Sequence, residues 1–215
     1  GVTKRNVLIT ALHDKLHSTI AARKKTLADA HDMQQVFLWC SYLHSWAKDM
    51  TKRIESQQLA NDTTSANDLI TTHGKLRSEI DARKDSFEEA FDFGEKLIAQ
   101  KHFASDEIQA KVDALRAAQA DLIALWEAYR VIFEQSLDAL RLREESQLTD
   151  GWLAAHEAVF AKQSSLDSID DVLANMEKLK DMEKTLAAQE DRFERIRRLT
   201  KKTEEHTSEL QSPYN

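Results

Sequence analysis

From Thr3 to Gln57 the chain contains neither glycine nor proline, and apolar residues return at three- and four-residue spacing: Leu8, Leu12, Leu16, Ile20 and Leu27, then Leu38, Tyr42, Trp46, Met50 and Ile54. A helix is the regular structure that keeps such residues on one side over so many turns. At 1.5 Å per residue it would run roughly 80 Å, too long for one compact domain, so it is expected to serve two packing units in succession. Only four Gly and one Pro occur in 215 residues, which removes most of the breaks that hairpins and long loops need. The expected fold class is all-α.

A polar stretch from Leu59 to Thr64 is the first break, and Ser65-x-x-Asp68 reads as a capping-box-like helix start. The second helix then carries Leu69, His73, Leu76, Ile80, Phe87, Phe91, Gly94 and Leu97, and ends near Lys101–Ala104. Ser105 is placed to cap a third helix through Ile108, Val112, Leu115, Leu122, Trp126 and Leu140, and the pattern passes without a stop to Leu148, Trp152, Val159 and Phe160. A loop is expected from Ala161 to Asp170, then a last helix with Val172, Met176, Leu179, Met182, Leu186, Phe193 and Ile196, before an irregular tail Ser212-Pro213-Tyr214-Asn215.

The chain repeats itself at an offset of 106 residues: Trp46 meets Trp152, Leu76 meets Met182, Ile80 meets Leu186 and Phe87 meets Phe193. One offset covering two helices and their loop is the mark of a helical array, in which each unit hands its last helix to the next.

These residues resemble the spectrin repeat. An inward Trp on helix A (Trp46, Trp152), a His-x-x-Leu pair on helix B (His73, Leu76), a B–C turn reading Gly-Glu-Lys-Leu-Ile-x-x-x-His (Gly94 to His102) and a Trp on helix C (Trp126) stand in the family's order. The resemblance implies tandem three-helix bundles joined by continuous helices, with Trp46, Leu76, Phe87 and Trp126 in the core. Laid on the chain, it assigns 1–32 to a lone helix C, 33–140 to a complete repeat and 141–215 to a partial repeat with helices A and B alone. A second helix-C tryptophan would fall at position 232, beyond residue 215. His13 stands where the first helix C would have its tryptophan. The spacing from His13 to Trp46 is 33 residues and that from Trp126 to Trp152 is 26, shorter by seven, or about two helical turns.

A complete repeat followed at a shortened junction by an A–B pair looks like the C-terminal region of a β-spectrin. That likeness implies a cytoskeletal, tetramerisation role: the pair would bind the N-terminal helix of an α-spectrin to form the spectrin tetramer of an actin-binding membrane skeleton. An open pair leaves an apolar groove, here expected to be lined by Leu148, Trp152, Ala155, Val159, Val172, Met176, Leu179, Met182, Leu186, Phe193 and Ile196. Helix A of the partial repeat has Ala155, Ala158 and Val159 where the complete one has Asp49, Lys52 and Arg53. The lone helix at 1–32 could also dock in the groove of another copy and cause self-association. The alternative reading is a plain rod spacer from a spectrin, dystrophin or plakin-like protein, with no dedicated binding site.

Other chemistry finds little support. The net charge of -7 and pI near 5.6 argue against phosphate-neutralising nucleic-acid binding. No apolar run approaches the ~18 residues of a membrane span, so no membrane insertion is expected. The single cysteine, Cys40, cannot form an internal disulfide and suggests a cytosolic chain, in this reading beneath the membrane. His13 and His17 have metal-competent spacing without further ligands nearby, no Glu-x-x-His or phosphate loop occurs, and neither a cofactor nor a catalytic residue is assigned. The basic run Arg192, Arg195, Arg197, Arg198, Lys201 and Lys202 is interleaved with Glu190, Asp191 and Glu194 and reads as a solvated face.

Overall fold

The breaker-free run forms one helix, α1 (Val2–Glu55), and its counterpart α4 (Ser105–Ala161) ends 106 residues later at the equivalent position. The computed structural model describes residues 2–161 and 167–211, and for 2–3, 158–161 and 206–211 the backbone alone. Among these residues there are six helices and no strand. Residues 162–166 of the expected loop at 161–170 and the tail 212–215 lie outside the described residues.

Two helices that read as continuous each break once. The first divides into α2 (Thr63–Asp81) and α3 (Lys84–Ala99), the last into α5 (Ile169–Ala188) and α6 (Glu190–Gln211). At the first break the Arg83 N–H donates to the Ile80 carbonyl, and the Phe87 N–H to that of Arg83. Gln189, Leu186 and Phe193 make the same two bonds 106 residues on. A single tightened turn re-aims the apolar stripe while satisfying the backbone, so neither glycine nor proline is required. That is why the sequence pattern does not reveal it.

The helix starts also correct the sequence reading. Asp62, not Ser65, caps α2: its carboxylate accepts from the Ser65 N–H at 2.8 Å and the Ser65 hydroxyl at 2.7 Å. Ser168 caps α5 in a full capping box with Asp171. The two caps are equivalent at the 106-residue offset, with hydroxyl and carboxylate exchanged. Ser105 does not cap α4; its hydroxyl donates to the His102 carbonyl at 2.6 Å. The cap-like role falls to His102, whose Nδ1 accepts from the Ala104 N–H at 3.1 Å while Nε2 lies 2.8 Å from the Asp29 carbonyl. This pairing fixes the donor on Nε2 and ties the turn after α3 to α1. Lys101 completes the turn with a left-handed φ of 55°.

The chain packs as two compact units, residues 1–57 with 74–128, and residues 58–73 with 129–215. In the first unit Val36, Cys40, Leu43, Ala47, Met50 and Ile54 of α1 are buried, as are Leu76 and Ile80 of α2, Phe87, Phe91 and Leu97 of α3, and Ile108, Val112, Leu115, Leu122 and Trp126 of α4. Gly94 is needed here for close approach: a Cβ at that position would sit 2.6 Å from Val112 Cγ2. Trp46, expected in the core with Leu76, Phe87 and Trp126, is half-buried, its ring edge-on to Phe87 and covered by the Arg83 guanidinium at 4.9 Å. Leu38 and Tyr42 of the expected stripe are exposed. Burial pushes the Cys40 thiol above its ordinary range, an effect that Lys111 partly offsets.

In the second unit the buried residues are fewer: Ala66, His73, Phe133, Leu137, Asp138 and Thr149. The buried His73 ring meets Phe133 edge-on at 5.1 Å. The Thr63 hydroxyl lies 3.3 Å from the Glu144 carboxylate.

Candidate helix-binding groove

Within the second unit, the end of α4 turns back through α5 into α6. Ion pairs set their register. Glu145 of α4 meets Arg192 at 3.3 Å and Arg195 at 3.4 Å, and Asp138, two helical turns earlier, meets Lys202 at 2.6 Å. Rising numbers on α6 therefore meet falling numbers on α4, an antiparallel pair. The contact is Coulombic rather than directional, because Asp138 Oδ2, Glu145 Oε2 and Arg192 Nε are buried without an aligned hydrogen bond. Beside it lies a cavity of about 450 Å³ lined by both signs of charge, among them Arg141, Glu144, Arg198 and Lys202.

Above this ionic end the unit is open. No residue of α5 is buried. Met176 is 61% exposed, Leu179 51% and Leu186 48%, and Leu148 and Val172 are exposed with them. In the other half of the repeat pattern, the counterparts of Met182 and Leu186, Leu76 and Ile80, are only 5% and 6% exposed. The structure leaves Trp152, Met182, Phe193 and Ile196 half-buried and Ala155 exposed; the Val159 side chain lies outside the described residues.

The repeat also relates the buried face of α1 to residues of α4 outside the expected lining. On α1 the buried positions are Leu43, Ala47 and Met50, one residue off the exposed Tyr42 face. Carried forward by 106 residues they fall on Thr149, Leu153 and His156, not on Leu148, Ala155 and Val159. Thr149 is buried and Leu153 39% exposed. His156 Nδ1 lies 2.7 Å from the Trp152 carbonyl and its ring stacks on the Trp152 ring at 4.1 Å. A stripe anchored on tryptophan follows the margin of the buried face, because Trp46 is half-buried at the edge of the core. Leu173, 58% exposed, is a further apolar residue of α5 without cover.

A family model for the spectrin repeat matches residues 31–135. The chain belongs to the spectrin-repeat family. It is 28% identical over 199 residues to a spectrin beta chain of Drosophila melanogaster, which covers 93% of this chain and 9% of that protein. It is 26% identical over 192 residues to the erythrocytic spectrin beta chain of Mus musculus, with 89% and 9% covered. The mouse erythrocytic spectrin alpha chain 1 is 31% identical over 151 residues, 70% of this chain and 6% of that one. The chain thus spans less than a tenth of the length of these relatives.

Within the spectrin-repeat frame five residues of the basic run on α6 are paired: Arg192 and Arg195 with Glu145 and Lys202 with Asp138 across to α4, and Arg197 with Glu194 and Lys201 with Glu205 along α6. His13 and His17 face each other with ring centroids 4.4 Å apart, and His13 Nδ1 lies 3.3 Å from Asp14. Among the described residues no cluster of His, Cys, Asp and Glu gathers as a metal ligand set, and no helix is long and apolar enough to cross a membrane.

Proposed function

We propose that α5, with the adjoining end of α4 and α6, forms an incomplete spectrin repeat that takes up the N-terminal helix of an α-spectrin chain and so joins spectrin chains beneath the membrane. The observation that carries this reading is the bare face of α5, where Val172, Leu179, Met182 and Leu186 hold the positions of the buried Ala66, His73, Leu76 and Ile80.

A second feature supports it. In the complete repeat the His102 side chain holds the turn that starts helix C and Gly94 admits that helix; their counterparts are Ser208 and Thr200, and α6 runs on as helix to Gln211. The second unit therefore lacks the residues that would turn the chain into a third helix of its own.

Burying about eight apolar side chains at ~1.5–3 kcal/mol each is worth on the order of 12–24 kcal/mol before costs. Ordering a free helix and losing rigid-body freedom cancel much of it, which leaves a reversible joint. Titrating the chain with a synthetic α-spectrin N-terminal helix is the test. Leu179→Glu and Leu186→Glu, at half-exposed positions, should abolish binding while leaving helical content unchanged. Absence of binding, or binding indifferent to both charges, overturns the proposal. The second reading, a spacer with no partner, would then stand; it draws on the similarly bare stripe of Leu8, Leu12, Leu16 and Ile20 on α1.

A further inference from the structure

The complete repeat shows how this protein recognises a third helix, and the partial repeat inverts the residues that do it. Three contacts join helix B to the start of α4. Gly94 admits Val112 at a distance no Cβ would allow. Glu95 forms an ion pair with Arg116, whose guanidinium also lies 4.5 Å from the Phe91 ring centroid. Arg77 stacks its guanidinium over the Trp126 ring at 5.2 Å.

At the 106-residue offset, Gly94 becomes Thr200, Glu95 becomes Lys201, Phe91 becomes Arg197 and Arg77 becomes Glu183. A helix like α4 would bring Arg116 against Lys201 and against Arg197, which Glu194 already pairs, Val112 against a branched side chain, and the negative face of Trp126 against a carboxylate. Each is unfavourable. Lys201 is 78% exposed and, among the described residues, held by Glu205 at 3.8 Å alone, so it can turn toward an incoming anion at little cost.

Resting on the groove reading above, we propose that the third helix is selected by this inverted charge order. The partner carries a small residue at the level of Val112, a carboxylate four residues later facing Lys201 and Arg197, and a basic residue ten residues after that facing Glu183. The inversion makes the groove reject the chain's own type of helix C and accept one of opposite pattern, so discrimination comes from repulsion as much as from attraction.

The test uses two peptides with the sequence of residues 105–135, one unchanged and one carrying Val112→Ala, Arg116→Glu and Trp126→Arg, each titrated calorimetrically into the full chain. The inverted peptide should bind on the order of tenfold more tightly at low salt, the preference shrinking as salt rises. The triple variant Glu183→Arg, Thr200→Gly, Lys201→Glu, with helical content checked by circular dichroism, should reverse the order. Equal affinities, or preference of the wild-type chain for the unchanged peptide, overturn the charge rule. So does peptide binding that weakens as chain concentration rises, since that would mean residues 2–32 of a second copy fill the groove, with uncharged Thr3 at the Arg116 level. If neither peptide binds but the α-spectrin helix does, the charge rule alone fails; if nothing binds, the groove reading fails and takes the rule with it.

Discussion

Asp62 shows what one side chain contributes to where a helix starts. The N–H and hydroxyl of Ser65, with the Thr64 N–H, hold its carboxyl below the ordinary aspartate range. A depressed carboxylate stabilises the fold above its unfolded pKa and loses that contribution as pH falls through the folded value. Asp62→Ala should therefore lower the melting temperature at neutral pH, with the gap to wild type closing below about pH 3.9, and Asp62→Asn should lose less. Gly94 argues in the opposite direction from intrinsic preference. Alanine favours helix by ~1 kcal/mol over glycine, yet the added methyl would meet a stiff β-branched Val112 at 2.6 Å. Overpacking costs ~1–3 kcal/mol, so Gly94→Ala is expected to destabilise by about 1 kcal/mol in urea unfolding. Both positions were visible in the sequence, but only packing and bond geometry tell their roles: Ser65 and Asp62 are equally good cap residues by type.

Elements differ in how much of them the pattern reveals. The long helices α1 and α4 are legible because every turn repeats the same instruction, an apolar residue at three or four and no breaker. The kinks at Arg83 and Gln189 are not, because a tightened turn exchanges one backbone bond for another with no special residue. α6 owes its position to charge. With Glu145 removed, Arg192 keeps a buried Nε and faces Arg195 with nothing between them. Glu145→Ala should weaken docking of α6 on α4 by about 1 kcal/mol, since the cluster is only partly buried. Faster amide exchange confined to α6, with α3 unchanged, is the signature; uniform exchange across both helices would contradict it.

At the scale of the whole molecule the two units have unequal cores, and their stabilities should follow. From Val36 onward the first unit buries an apolar residue at nearly every turn of its helical segments, while α5 of the second buries none. Heating should melt the second unit first, and hydrogen exchange should report α5 and α6 opening well below the free energy that protects α3. A bound third helix should raise the lower transition and leave the upper one in place, which calorimetry would resolve. Family membership and the all-helical class were readable from sequence, because periodicity, missing breakers and the 106-residue echo are local and repetitive signals. That Thr149 is covered while its neighbour Leu148 is exposed became legible only with the buried face of α1, Leu43, Ala47 and Met50. Apolar type marks both a core position and its neighbour at the core margin; which of them is covered depends on the angle at which another helix arrives, and that angle exists only in three dimensions.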